Sequence, residues 1–202
     1  MTLAAALIAL AALAGPAQAA TRTVTKTFAN PSPILIPAGS PSTSMGPASL
    51  YPSEVEVSGL RRGRILDVNL ALKNFSHSYP WDLDLLLVSP TGQNSIVMSD
   101  AGGIGPGVNG ATLTLYDEAS NVLPRLNTPT SGSYQPWDYD PSDNFDFFPQ
   151  PAPTPNPEWL LNAFDATNPN GAWKLYVYDQ SGGDFGQFAG GWALTIKAKV
   201  RR

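Results

Sequence analysis

Apolar and polar residues alternate along most of this chain with a period of two. The run from residue 66 carries Leu66, Val68, Leu70 and Leu72 on one parity, with Asp67 and Asn69 between them. Strand side chains point to opposite faces in turn, so this pattern predicts a half-buried strand. The same period returns at Val55 and Val57, at Leu83, Leu85 and Leu87, at Leu113 and Leu115, at Trp173, Leu175 and Val177, and at Trp192, Leu194 and Ile196. Residues 24–28, 34–36 and 96–98 are further strand candidates. About eight or nine strands separated by Gly, Pro, Asn and Ser clusters suit an all-β, antiparallel jelly-roll sandwich whose apolar rows face inward.

Helix signals are few. The best is Asn156-Pro157-Glu158-Trp159-Leu160-Leu161, with Asn156 as cap and Pro157 in the first helical position, which predicts one or two turns. Residues 127–158 form a long stretch rich in Pro and aromatics, including Trp137, Tyr139, Phe145, Phe147 and Phe148. Disordered segments are depleted in aromatics, so this reads as a surface excursion pinned to the sandwich by its rings.

Residues 1–19 are almost wholly apolar, carry no charged side chain and precede the polar run Thr21-Arg22-Thr23. The apolar core of that segment, residues 3–13, has the length of a secretory h-region and falls short of the roughly twenty residues that span a membrane. Ala17 and Ala19 fit a signal-peptidase site, so a secreted chain beginning at Ala20 is expected, with no membrane association after cleavage. The expected layout is a signal peptide over 1–19, an N-terminal strand and linker over 20–54, and a single sandwich domain over 55–202. Zero cysteines exclude a disulfide framework. A formal charge of −4 argues against nucleic acid as a partner.

Two stretches carry a family resemblance. One is Ser76-His77-Ser78-Tyr79-Pro80-Trp81-Asp82-Leu83-Asp84-Leu85-Leu86-Leu87-Val88-Ser89-Pro90-Thr91-Gly92. The other runs Gly171-Ala172-Trp173-Lys174-Leu175-Tyr176-Val177-Tyr178-Asp179, then Gly186, then Gly190-Gly191-Trp192-Ala193-Leu194-Thr195-Ile196. Together they resemble the P domain, or Homo B domain, of the proprotein convertases and their bacterial relatives. The resemblance implies a non-catalytic module associated with subtilisin-like serine endopeptidases, with such a protease or another extracellular protein as partner. The segment between Asp100 and Asn168 departs from that family in its length and its Pro and aromatic content.

The residues themselves give a Ser-His-Asp mechanism little to work with. His77 is the sole histidine and sits in the first of these runs, where a structural role is expected. No Gly-x-Ser-x-Gly elbow occurs, Ser131 reads as loop chemistry, and one histidine without cysteine cannot build a typical zinc site. An alternative function is a carbohydrate-binding or adhesion module, with Trp81, Tyr134, Trp137 and Tyr139 stacking on sugar rings if they form a coplanar exposed row. Calcium is the expected ion. Asp82 and Asp84, two apart at a strand start, point to one face on this reading, with Asp179 and Asp100 completing the oxygens. The competing reading makes Asp82 and Asp84 the solvated face of an edge strand, and Asp179 and Asp100 Asx-turn residues.

Overall fold

The computed structural model describes residues 20–41, 44–103, 105–141 and 146–201. The expected signal peptide lies outside them, as does Phe145. Among the described residues thirteen strands make two packed sheets. Eight have five or more residues: β1 (Thr21–Asn30), β4 (Ser53–Val57), β5 (Arg64–His77), β6 (Leu83–Val88), β7 (Asn94–Ser99), β8 (Val108–Leu115), β11 (Gly171–Asp179) and β13 (Trp192–Arg201). The other five, β2 (Ile34–Ile36), β3 (Gly46–Pro47), β9 (Gly132–Tyr134), β10 (Trp137–Asp138) and β12 (Gly186–Phe188), are short, and all but β12 lie at sheet edges. The periodic signal found the long strands. Of the short strands it marked only β2, at residues 34–36. Among the described residues no helix is long and apolar enough to cross a membrane.

The first sheet runs β1-β13-β5-β12-β2, with β8 on the free side of β5 and β9 beyond it; the second runs β10-β7-β6-β11-β3, with β4 also on β11. All pairings are antiparallel except β8 with β9 and β10 with β7, which are parallel. Both exceptions come from the long Pro- and aromatic-rich segment, which lays one short strand on each sheet. The described residues of 20–54 join the sheets through β1, β2 and β3, and β1 pairs with β13 from Thr21↔Arg201 to Asn30↔Trp192.

Leu83, Leu85, Leu87, Trp173, Leu175, Val177, Trp192 and Leu194 are all fully buried in the main core, as their alternation predicts. Trp173 stacks edge-on against Phe164 at 4.9 Å between ring centres, and its Nε1–H donates to the Pro169 carbonyl at 2.9 Å. Trp192 Nε1–H donates to Ser53 Oγ at the same distance. Pairing each buried N–H offsets the cost of taking it out of water. The β6–β7 connection closes on Gly92, whose φ of 91° suits a residue without a Cβ and whose N–H donates to Ser89 O.

Two sequence expectations need correction. Leu66 is 45% exposed while Ile65 is buried. A bulge between β5 and β13, where Asp67 faces Lys197 but Ile65 faces Ala198, absorbs Leu66 as the extra residue and turns it outward. The helix expected over 156–161 is a single 3-10 turn at Leu161–Phe164. Asn156 does not cap it. The Asp117 carboxylate does so from 44 residues away, accepting from the N–H groups of Leu161 at 2.8 Å and Asn162 at 2.7 Å.

The second sheet is covered on both faces. Leu86, Val88, Ile96 and Tyr176, on its outer side, form a separate buried cluster with Phe148 and Ala152 of the long loop. Every residue of β6 is therefore buried.

Candidate functional site

The two family-like runs meet at one end of the sandwich. β6 and β11 are hydrogen-bonded neighbours, with Leu83 opposite Asp179 and Lys174 opposite Val88. His77, the last residue of β5, lies against this end, with its Nε2 3.5 Å from Asp179 Oδ2 and both side chains fully buried. His77 Nδ1 accepts the Tyr79 N–H at 3.2 Å, which assigns the ring proton to Nε2 and aims it at the carboxylate. At 3.5 Å the pair is longer than a tight charge-assisted hydrogen bond, and neither Nε2 nor Oδ2 has a hydrogen-bond partner among the described residues. Asp179 Oδ1 accepts the Ser181 N–H at 3.2 Å.

The close fit here depends on Gly186. A Cβ on that residue would sit 2.1 Å from Ser76 O and 2.6 Å from His77 Cα. Its absence lets β12 press onto β5, with Gly186 opposite His77. The next loop is latched by Ser78, whose Oγ donates to Asp184 Oδ1 at 2.8 Å and accepts the Phe185 N–H at 3.0 Å. A cleft of about 530 Å³ opens alongside, lined among others by Leu35, Pro41, Val108 and the half-exposed Phe185.

Asp82 belongs to this end. Burial raises its pKa from 3.8 to about 6, and the neighbouring Asp179 and Asp184 carboxylates push the same way, while His77 and a hydrogen bond from Ser181 oppose them. Asp84 does not belong here. Asp82 closes the 3-10 turn Pro80–Asp82, so the alternation that would put both carboxylates on one face starts only at Leu83. Asp84 is on the outer side of the second sheet, accepting from Ser99 Oγ at 2.8 Å. It is fully buried on a central strand, which also overturns the solvated-edge alternative.

Around Ser99 the sequence reading missed two partners. Asp146 Oδ1 lies 2.8 Å from the same Ser99 hydroxyl, and Asp138 is the strand partner of Ser99 between β10 and β7. Asp100 follows Ser99 with a left-handed φ of 49° and is buried. The available signal was the run of acids through the long loop, Asp138, Asp140, Asp143 and Asp146, of which Asp143 lies outside the described residues. The expected calcium ligands are thus divided, with Asp82 and Asp179 in one neighbourhood and Asp84 in another, across the sheet with Ser99. Among the described residues no three His, Cys, Asp or Glu side chains converge as a metal cage, so the geometry does not fit one calcium site built from these four.

The aromatic row expected for a sugar face is absent. Trp137 tilts 48° from Tyr139 and 52° from Trp159, and Tyr134, Trp137 and Tyr139 pack partly buried against the main core. The Arg125 guanidinium lies 5.7 Å from the Trp81 ring centre and 5.4 Å from that of Tyr139, occupying their faces. Ser131 Oγ accepts the Thr112 N–H at 3.0 Å, a loop-pinning bond.

No protein-family model matches this chain, and no curated protein does. Among solved structures, the crystal structure of the Aeromonas sobria serine protease and its chaperone in complex is similar over 91% of this chain and 27% of that one, at 12% identity and a TM-score of 0.40. A likeness that faint carries no argument about function.

Proposed function

We propose that this chain is an exported, non-catalytic P-domain-like module that works beside a subtilisin-like serine protease, supporting its folding or stability. The observation that carries the reading is the His77–Asp179 pair. Two runs that resemble the P domain, about eighty residues or more apart in sequence, supply adjacent strands and the buried His77–Asp179 contact between them. The same pair argues against a hydrolase built on His77. Nδ1 accepts the Tyr79 N–H, Nε2 faces Asp179, and the side chain has no exposed surface, so it cannot meet a substrate.

Calcium belongs to this reading as a proposed stabiliser acting at one of the two aspartate groups, not through a four-aspartate cage. The carbohydrate alternative loses its motive with the aromatic faces tilted, packed or covered.

The test is affinity capture of the tagged chain from its host's culture supernatant, read with a fluorophosphonate probe that labels active serine hydrolases. A labelled protease retained on the chain, whose refolding yield rises with added chain, is the expected result. Labelling and peptidase turnover by the chain itself, or no labelled enzyme retained, would overturn the proposal. N-terminal sequencing of the exported form should begin at Ala20.

A further inference from the structure

The opposite chemistry gathers in another cleft. A hollow of about 630 Å³ is lined by Arg62, Arg64, Lys199 and Arg201 together with Thr21, Gly63, Asn168 and Asn170. The chain has only 12 Lys and Arg and a net charge of −4. A third of its cations thus face one hollow of an acidic protein. Arg64 and Lys199 are direct cross-strand partners, an arrangement in which like charges repel. Two residues further along β13, the Arg201 N–H donates to Arg61 O at 3.2 Å, so the segments 61–64 and 199–201 run side by side.

Among the described residues none of the four has a carboxylate within ion-pair distance. The contrast on the same strand is Lys197, which sits opposite Asp67. Arg62 holds a left-handed φ of 47°, a conformation that long side chains rarely adopt. The hollow's wall is rigid: Asn170 accepts the Leu60 N–H at 3.0 Å, and its amide donates to Leu60 O at 2.8 Å and to Asn168 Oδ1 at 2.9 Å.

We propose that this cleft docks an extended acidic segment of another protein, with alternate Asp or Glu side chains paired to Arg62, Arg64, Lys199 and Arg201. Carboxylates two residues apart on an extended chain repeat at roughly 6.6–6.8 Å, the spacing of Lys199 and Arg201 along β13. Arginine forks match carboxylates in two-pronged pairs. Single-stranded nucleic acids and sugars are held largely by stacking on aromatic rings, and no lining residue is aromatic. The inference is independent of the protease reading and is tested on this chain alone.

The probe is a fluorescein-labelled octapeptide of alternating Asp and Ser, titrated by anisotropy in 20 and 200 mM salt, with an Asn/Ser peptide as control. Arg64→Gln/Arg201→Gln should weaken binding at least tenfold and flatten its salt dependence, while its melting temperature stays level or rises as repulsion is relieved. Equal affinity in the double variant, or equal binding of the Asn/Ser peptide, would overturn the proposal. So would a double variant melting well below the parent, since that would make the cations structural. An octathymidylate or sulfated oligosaccharide that binds tenfold more tightly than the peptide would also overturn it.

Discussion

Replacing Asp82 with Asn should make this protein more stable at neutral pH. Its carboxyl is 9% exposed, and its pKa is raised from 3.8 to about 6 by burial first, then by Asp179 and Asp184. At about 1.4 kcal/mol per pH unit, the anion is disfavoured by about 3 kcal/mol if unscreened. Solvent reaching its edge reduces that to about 1–2 kcal/mol. Because the folded pKa lies above the unfolded one, the folded state binds more protons between pH 4 and 6. This group's penalty is therefore complete above about pH 7 and is relieved as pH falls through 6 toward 4. Asn is isosteric, uncharged and able to keep the hydrogen bond with Ser181, so Asp82→Asn removes the repulsion without opening a cavity. In chelator at pH 7.5 the variant should gain about 1–2 kcal/mol in denaturant unfolding, or about 3–6 °C in melting temperature for a domain of this size. The gap should shrink to about a third of that by pH 4.5 and close near pH 3. Burial also raises the pKa values of Asp67, Asp117 and Asp165, so the difference between the two proteins, not either slope alone, is the quantity to read. A variant no more stable than the parent at pH 7.5, or a gap unchanged at pH 4.5, would refute the electrostatic account.

Trp173→Ala should cost about 3–5 kcal/mol in urea unfolding, because it empties a fully buried site against Phe164; a loss under about 1 kcal/mol would mean the ring does not carry the core. Gly186→Ala should cost about 1–3 kcal/mol by forcing β12 off β5, and an unchanged melt would show that the contact with Ser76 relaxes freely. Millimolar calcium should raise the melting temperature by a few degrees, since binding at about 10⁻⁴ M stabilises by only about 1.4 kcal/mol at that concentration. Comparing that shift in Asp82→Asn and in Asp84→Asn assigns the ion to one aspartate group, and no shift in the unmodified protein removes calcium from the functional reading.

Which parts of this molecule were legible in its sequence follows from how far each residue's determinants lie along the chain. The inward rows of β6, β11 and β13 were readable because a strand between two sheets needs one apolar face, and that need repeats every second residue. Leu66 misled the same rule, since a bulge is set by the partner strand and leaves no mark on the periodicity of its own. The 3-10 turn at Leu161–Phe164 was displaced from its expected position because its cap is Asp117, supplied by tertiary contact rather than by Asn156. Asp82 and Asp84 were separated by a change of backbone at Leu83, where a turn becomes a strand, so identical chemistry two residues apart faces two different environments. The long loop was recognised as pinned by aromatics, yet its two parallel strands depend on the edges of β7 and β8 that receive them. The basic cleft shows the same limit from the functional side. Arg62 and Arg64 are about 135 residues from Lys199 and Arg201, and only the β5–β13 register makes them neighbours. Charge placed by register is thus invisible to composition, and an overall −4 concealed a local site of the opposite sign.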